Sequence, residues 1–328
     1  MNNRNRMAIA VTGVVALATT AVLYVGLAAR DRDPVAFGAA GVVSLTPGPR
    51  LLFRGTADAD RGHLVTVSQA DPGGPRAVSQ VSCTRVHAAG GTGICLYTND
   101  DLTTSLTVLD ERLEKKREVP LFGVASRARV SPTGRMVTWT VFAVGDSYNL
   151  GVFSTRVGIL DTATGEVTNT LEDYAVTMNG RPYGAADLHF WGATFAKDGN
   201  RFFATMSTGG HRYLVEGDFA ARSVRTVREN VECPSLSPDG TRIAFKSAID
   251  GDPARGWRLS VLDLSTSVVT PLAETRSVDD QAAWIDDHTV AYAIPRGVGR
   301  SDVWSVPADG SGTPHLLIPD GESPAVLG

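Results

Sequence analysis

The segment Cys233–Ser247, CPSLSPDGTRIAFKS, contains the pattern that decides the fold of this 328-residue chain. Pro238 and Asp239 favour a tight turn, and Gly240 supplies the positive φ angle that such a turn requires. The residues on both sides of the turn have the extended, largely apolar pattern of β-strands. The segment therefore predicts a β-hairpin, and the architecture depends on whether this hairpin recurs.

The same hairpin pattern is found throughout the chain. Turn-bearing segments with an apolar second arm have their turns at Pro47, Gly90, Pro132, Lys197, Pro238 and Asp286. The intervals between these turns are 43, 42, 65, 41 and 48 residues, and each hairpin is followed by two more strand-like segments. Units of four strands with this period are typical of propeller blades. The sequence therefore predicts an all-β fold, a six-bladed β-propeller of four-stranded antiparallel blades over residues 42–328.

Two segments are candidates for the innermost strand of the first blade. The final residues 322–328, ESPAVLG, repeat the register of ECPSLSP at 232–238, and a strand from the C-terminus would tie the last blade to the first. Val42–Thr46 has the pattern of an inner strand as well. We predict closure by the C-terminal segment, although blade 1 then has a second candidate for its inner strand.

The 65-residue interval gives the third unit about twenty residues more than a blade of ordinary period. We interpret the extra residues as two long loops, 141–156 and 171–187. Their polar and aromatic residues are Asp146, Tyr148, Asn149, Tyr174 and Tyr183. These loops are candidate contacts for a ligand or partner, Asp146 and Tyr148 in particular.

The N-terminal residues 1–33 are predicted to be a membrane anchor or signal segment with a short linker. Arg4 and Arg6 precede an uncharged run at 7–29, which is long enough to cross a bilayer as a single helix. An uncleaved anchor, a cleaved signal peptide and a buried core helix are the three alternatives, and the first is favoured. Either of the first two places the propeller on the extracytoplasmic side of the cell membrane.

The three cysteines are compatible with an oxidising compartment. A turn centred on Ala89 would place Cys83 directly opposite Cys95, close enough for a disulfide. The alternative is two buried free thiols. Cys233 is left over and is expected to be a small buried apolar residue.

Blade 5 carries a family resemblance. Its Ser-Pro-Asp-Gly turn, then Ala244 and Phe245 after three residues, then LSVLDLSTSVVTPLAE at 259–274, resemble the repeat of the TolB-like six-bladed propellers, a WD40-like PD40 repeat. The resemblance implies the propeller fold over residues 42–328. It implies little about activity, because such blades serve scaffolds, lyases and peptidases. The chain departs from TolB itself in having only a short link where TolB has an α/β domain.

Motifs for catalysis are missing from the sequence. It contains no Gly-x-Ser-x-Gly, no His-Glu-x-x-His and no phosphate-binding loop, and the net charge of -4 argues against nucleic-acid binding. The acidic loop with Asp250 and Asp252, followed by Arg255, is a candidate for partner contact or for a cation, although a solvated loop is its ordinary interpretation. No cofactor is predicted, except that a divalent cation remains an option.

The inner strands bring three acids to one position of the repeat. Alignment places Glu232, Asp280 and Glu322 just before the residues that line the axis. Acids that converge at a channel mouth repel one another unless a cation, water or Arg127 compensates them. The alternative is a wide, hydrated channel.

Blades 3 and 4 contribute other residues to the same mouth. Ser126 and Phe190 occupy the aligned position, with Arg127 and His189 one place away. We therefore predict a ligand or partner site at this mouth.

The leading interpretation is a monomeric, membrane-anchored propeller that binds a protein or a cell-envelope ligand without catalysis. One alternative is an enzyme at the channel mouth, a polysaccharide lyase or hydrolase with or without a metal. A second is a sensor of a small ligand.

Overall fold

The computed structural model describes residues 42–143 and 154–328, and its strands form six antiparallel sheets arranged as propeller blades. Blade 1 contains β1 (Arg50–Gly55), β2 (His63–Ser68), β3 (Ala77–Ser82) and the C-terminal β26 (Gly321–Val326). Blade 2 contains β4 (Arg85–Ala89), β5 (Thr92–Thr98), β6 (Thr103–Leu109) and β7 (Lys115–Phe122). Blade 3 contains β8 (Val124–Val130), β9 (Met136–Ala143), β10 (Ser154–Asp161) and β11 (Val167–Thr168).

The other three blades follow the same plan. Blade 4 contains β14 (His189–Phe195), β15 (Arg201–Thr208), β16 (His211–Asp218) and β17 (Ser223–Glu229), with β12 (Ala175–Met178) and β13 (Arg181–Tyr183) added outside. Blade 5 contains β18 (Glu232–Leu236), β19 (Arg242–Ala248), β20 (Trp257–Asp263) and β21 (Val269–Pro271). Blade 6 contains β22 (Ala283–Trp284), β23 (Thr289–Pro295), β24 (Ser301–Pro307) and β25 (His315–Ile318). Short 3₁₀ turns occur at Leu171–Asp173, Ile249–Gly251 and Pro253–Arg255. The predicted six-bladed, all-β fold is confirmed.

The hairpin of the opening segment is the β18–β19 pair. Gly240 donates its N–H to the carbonyl of Ser237 at 2.9 Å, and its φ of 76° lies in the left-handed region that glycine tolerates. Asp239 Oδ1 accepts the N–H of Thr241 at 2.9 Å. The Asp239 N–H in turn donates to Asp287 Oδ1 of blade 6 at 3.0 Å, so this turn also joins neighbouring blades. The residues of this turn therefore stabilise the propeller fold.

The C-terminal strand closes the ring. β26 pairs antiparallel with β1, with Leu52 opposite Ala325 and Arg54 opposite Glu322. Val42–Thr46 is not a strand. Leu45 is instead buried beside blade 2, and its N–H donates to the carbonyl of Glu111 at 2.8 Å. The expectation of an inner strand at 42–46 is therefore wrong, and the closure predicted from the C-terminal repeat is correct.

A disulfide joins Cys83 to Cys95, whose Cα atoms lie 5.4 Å apart. The pairing register of the two strands differs from the register on which the predicted disulfide was based. Val86, not Cys83, lies opposite Cys95, because the turn is at Gly90 and Gly91 rather than centred on Ala89. Cys83 precedes β4 and reaches the other sulfur from outside the strand pair.

Part of the extra sequence in the third unit forms structure rather than a loop. β12 and β13 form a hairpin whose first strand pairs in parallel with β17, which widens blade 4 to six strands. Tyr174 is buried in the core, and the Tyr183 hydroxyl lies 2.9 Å from Thr208 Oγ1. The interpretation of 171–187 as a long loop is wrong, because its apolar side chains, among them Tyr174 and Val176, pack in a core shared with strands of blades 3 and 4.

Other predictions concern residues outside the described part. Asp146, Tyr148 and Asn149 lie there, as does the apolar segment 7–29. Within 42–143 and 154–328, the structure has no helix long and apolar enough to cross a membrane.

Candidate functional site: one mouth of the propeller channel

Polar side chains close the channel near its middle. Gln281 Nε2 donates to the carbonyls of Pro234 at 2.9 Å and Gly192 at 3.2 Å. Arg129 Nη2 donates to the carbonyl of Ala282 at 2.9 Å. Only about 20 Å³ of space remains at this level. The wide, hydrated channel is therefore not what the structure shows, because these side chains reach across the axis to other blades.

Burial affects the protonation of two side chains at this level of the channel, Arg129 and His87. Burial lowers the pKa of Arg129 to about 10, which leaves the guanidinium protonated at neutral pH. Burial and the neighbouring Arg129 together hold the pKa of His87 well below its usual value. The neutral His87 ring accepts the Val130 N–H at Nδ1 at 3.2 Å, and its Nε2 lies 3.0 Å from Arg129 Nη1.

Above the closure lies a cavity of about 540 Å³ at one mouth. Its lining combines bases, aromatic rings and two acids. The bases are Arg85, Arg127, Arg212 and Lys246; the aromatic side chains are Phe142, Trp191 and Trp257; the acids are Glu232 and Asp279. His189 also faces the cavity. Three of the residues predicted for this mouth, Glu232, Arg127 and His189, are therefore brought together.

Glu232 is held between two cations. Arg212 Nε lies 2.6 Å from its Oε1, and Lys246 Nζ lies 3.6 Å from its Oε2. Burial raises the pKa of Glu232, while the charges of Lys246 and Arg212 act in the opposite direction. Lys246 lies directly opposite Glu232 on β19, so the pair is a cross-strand ion pair.

The other two predicted acids lie outside this cavity. Glu322 Oε1 is 3.0 Å from Arg54 Nη1 and 3.1 Å from Arg85 Nη1. Asp280 Oδ2 accepts the backbone N–H of Ala293 at 3.0 Å. Each acid thus has its own partner, and the three do not form one carboxylate cluster. In the described residues no group of three or more His, Cys, Asp or Glu is placed to hold a metal ion.

Blade 4 corrects the repeat alignment by one residue. Trp191 lies opposite Thr205 just before a register shift, as Glu232 lies opposite Lys246 before the matching shift in blade 5. Trp191 lines the cavity, whereas Phe190 is buried in the core. The assignment of Phe190 to the mouth is wrong, because neighbouring residues of a strand face opposite sides.

Several residues that line the cavity are indicated by no local sequence pattern. Arg212 and Trp257 both lie on the third strand of their blade, and Asp279 lies in the loop before β22. Lys246 Nζ is 4.0 Å from the centroid of the Trp257 ring, a cation–π contact. Cross-strand pairing with Glu232 would have indicated Lys246, but no local signal indicates the others.

The comparisons with known proteins agree on the fold. The sequence matches no protein-family model and no curated protein sequence. Its structure is similar to TolB from Acinetobacter baumannii, with 18% identity, 85% of this chain and 67% of that chain covered, and a TM-score of 0.61. The chain has the TolB-like propeller fold. It is also similar to a chain in the nidogen/laminin complex, with 9% identity, coverage of 85% and 98%, and a TM-score of 0.56.

In this TolB-like propeller, the acidic loop of blade 5 does not line the mouth cavity. Asp250 forms an ion pair with Arg255, and Asp252 caps the short turn Pro253–Arg255 by accepting the Ala254 N–H at 2.9 Å. These contacts account for the three charged side chains as parts of the loop itself.

Proposed function

We propose that this chain is a membrane-anchored, extracytoplasmic and monomeric propeller that binds a protein partner at the mouth cavity and carries out no catalysis. The observation that supports this most is the composition of the cavity. It is a concave space of about 540 Å³ lined by tryptophan and basic side chains above a closed floor. Trp and Arg are the residue types that contribute most to binding at protein interfaces.

The charge of the cavity indicates the kind of partner surface that fits it. Four basic side chains face two acids there, in a chain whose net charge is -4. A positive site on a negative molecule attracts an acidic partner surface and disfavours basic ones. The aromatic rings offer apolar contact beside these charges, and Phe142 is 36% exposed.

The ion pairs of the carboxylates at the mouth support a binding function over acid–base catalysis. Glu232 is held between Arg212 and Lys246, and Asp279 is paired with Lys246. Carboxylates in such pairs position their neighbours and are constrained in giving or taking a proton. A similar propeller fold is present in the nidogen/laminin complex, which supports a protein as the partner.

Export of the propeller is supported by two features. The uncharged run at 7–29 has the length of a membrane-spanning helix, and basic residues precede it. The disulfide between Cys83 and Cys95 is of the kind that persists in an oxidising compartment.

Site-specific photo-cross-linking tests the proposal. The full-length chain carries benzoylphenylalanine in place of Ser207, which lines the cavity, or of Lys197, which lines the opposite mouth. In its native cells we expect one protein adduct from position 207, absent from position 197, and digestible by protease added outside the cell membrane. Lys246→Met in the same chain should remove the adduct.

Four results would contradict the proposal. Equal adducts at both mouths, or an adduct that Lys246→Met leaves unchanged, would exclude the mouth cavity as the binding site. An adduct protected from external protease would exclude export. Release of products from an acidic polysaccharide by the wild-type chain, abolished by Glu232→Gln, would support the enzyme in place of the binding protein.

A further inference from the structure

Asp279 is the one carboxylate of the mouth cavity that is mainly exposed while its cationic partners are buried. Its side chain is 67% exposed, whereas the side chains of Lys246 and Arg127 are only 5% and 14% exposed. Lys246 Nζ contacts Asp279 Oδ1, and Arg127 Nη2 lies 3.6 Å from the same oxygen. One oxygen of an exposed carboxylate thus lies close to two buried cationic side chains.

The anchoring of the three groups differs. Lys246 is on β19, which pairs with both β18 and β20, and Arg127 is on β8, the innermost strand of blade 3, which pairs with β9. Arg127 is fixed further by donating Nη1 to the carbonyl of Ser126 at 3.0 Å. Asp279 precedes β22 in a segment without regular structure. Rotation of its side chain would uncover both cations without moving a strand.

Uncovered cations at this depth need an anion. When the Asp279 carboxylate leaves, Lys246 keeps the Glu232 carboxylate at 3.6 Å, and Arg127 keeps the backbone carbonyls of Ser126 and Asp279. The loss of one anion beside two buried cations favours another anion at the same position. The pKa of Asp279 is consistent with this position: burial acts to raise it, but Lys246 and Arg127 bring it below its usual value. The two cations therefore favour the ionised form of a carboxylate at this position.

We propose that a carboxylate from an acidic segment of the protein partner binds between Lys246 and Arg127, at the position that Asp279 now occupies, and that Asp279 is a built-in competitor for it. This inference rests on the proposed function, because it specifies the ligand of the same cavity. The partner segment presents an Asp, a Glu or a C-terminal carboxylate, next to an apolar residue that contacts Trp191 or Phe142.

The geometry favours a peptide over an acidic sugar. A sugar ring is usually bound by stacking on an open aromatic face, and of the three aromatic rings of the cavity that of Trp257 already has cations over it. Lys246 Nζ is 4.0 Å and Arg212 Cζ is 6.0 Å from its centroid. A carboxylate on a peptide needs no such face, and it reproduces the contacts that Asp279 makes.

The test compares wild type with Asp279→Asn in the full-length chain. The probes are the fluorescein-labelled peptides Gly-Trp-Glu-Glu-Gly and Gly-Trp-Gln-Gln-Gly, and anisotropy measures their dissociation constants. Because Asn keeps the shape and removes the competing charge, we expect Asp279→Asn to bind the Glu peptide about tenfold more tightly than wild type. Binding of the Gln peptide should be unchanged. Adding Lys246→Met should abolish the gain.

Asp100→Asn is the matched control, because it removes one exposed negative charge from a loop that does not line the cavity. An equal gain with Asp100→Asn would reduce the effect to net charge and overturn the inference. Unchanged or weaker binding of the Glu peptide by Asp279→Asn would also overturn it, as would failure of either protein to bind that peptide.

Two further probes separate the ligand classes. Galacturonic acid or inorganic phosphate that binds Asp279→Asn as tightly as the Glu peptide would overturn the choice of an acidic peptide. These outcomes are distinguishable from failure of the proposed function, because the photo-cross-linking adduct at position 207 does not depend on which group fills the position of Asp279.

Discussion

At the level of single residues, Glu232 and Asp161 show two opposite effects on a carboxylate pKa. Glu232 is buried at the mouth among cations, and burial raises its pKa. Asp161 accepts several hydrogen bonds that favour the ionised form. It accepts Arg135 Nη2 at 2.6 Å and the Ala163 N–H at 2.9 Å, and its pKa falls from 3.8 to about 2.

The first prediction concerns the Asp161–Arg135 pair. The folded pKa of Asp161 is below the unfolded value, so its contribution to stability is present above about pH 4 and is lost between about pH 4 and pH 2. Asp161→Asn should lower the free energy of unfolding by about 1–2 kcal/mol near pH 7, after allowance for the half-exposed Arg135. Urea unfolding monitored by circular dichroism measures this difference.

The pH dependence is the control for this prediction. The gap between wild type and Asp161→Asn should shrink as the pH is lowered toward about 2. A gap of constant size across that range would show that the substitution acts through packing and not through the charge.

At the level of elements, register shifts in the inner strands shape the mouth. In β14 and β18 the pairing shifts after Trp191 and after Glu232, and the next residues, Gly192 and Cys233, have φ angles of 62° and 50°. A threonine of the preceding blade accepts each of these N–H groups: Thr140 for Gly192 at 3.1 Å, and its counterpart on β15 for Cys233 at 2.8 Å. The bulge thus links neighbouring blades beside the cavity.

The second prediction concerns Gly192. A Cβ atom there would lie 2.9 Å from the Cα atom of Cys233, too close for a real contact, in addition to the strain of a positive φ. Gly192→Ala should lower the free energy of unfolding by about 2–4 kcal/mol, the sum of backbone strain and overpacking. Thermal and urea unfolding measure this loss.

Gly209→Ala is the matched control. Gly209 has a similar φ of 57°, but a Cβ atom there meets nothing within 4 Å. This variant should lose only the backbone part, about 1 kcal/mol. Equal losses for the two variants would contradict the role of close packing between the bulges of blades 4 and 5.

At the level of the whole molecule, the ring is closed by strand pairing between distant parts of the chain. β26 supplies the innermost strand of blade 1, and Leu327 continues the contact by donating its N–H to the carbonyl of Arg50 at 3.0 Å. Ala325 and Leu327 are buried together with residues of blades 1 and 2. The closing strand therefore contributes both hydrogen bonds and apolar burial.

The third prediction concerns this closure. Ending the chain after Asp320 removes β26 and exposes an unpaired edge and the core of blade 1. We expect loss of cooperative thermal unfolding and rapid proteolysis of blade 1, because the buried apolar contacts of the closing strand are lost. Removing Gly328 alone is the control and should leave the transition unchanged. A cooperative transition without β26 would contradict closure by this strand.

Local sequence signals predicted the blades but only part of the site. Turn residues and strand periodicity depend on neighbours along the chain, so five of the six hairpins and Glu232 could be identified from sequence. Which strand residue faces the mouth depends on the bulges, and a shift of one residue moved the assignment from Trp191 to Phe190. The hairpin β12–β13 was missed because its stability comes from pairing with β17.

By itself, the sequence determined the repeat, the blade count and the closing C-terminal strand, because each is encoded in residues a few positions apart or in the period between them. Only the tertiary structure decided that Gln281 and Arg129 close the channel and that Lys246, Arg212, Trp257 and Asp279 form the mouth. Those side chains come from different strands and blades. Their juxtaposition arises when the ring closes, and no pattern along the chain records it.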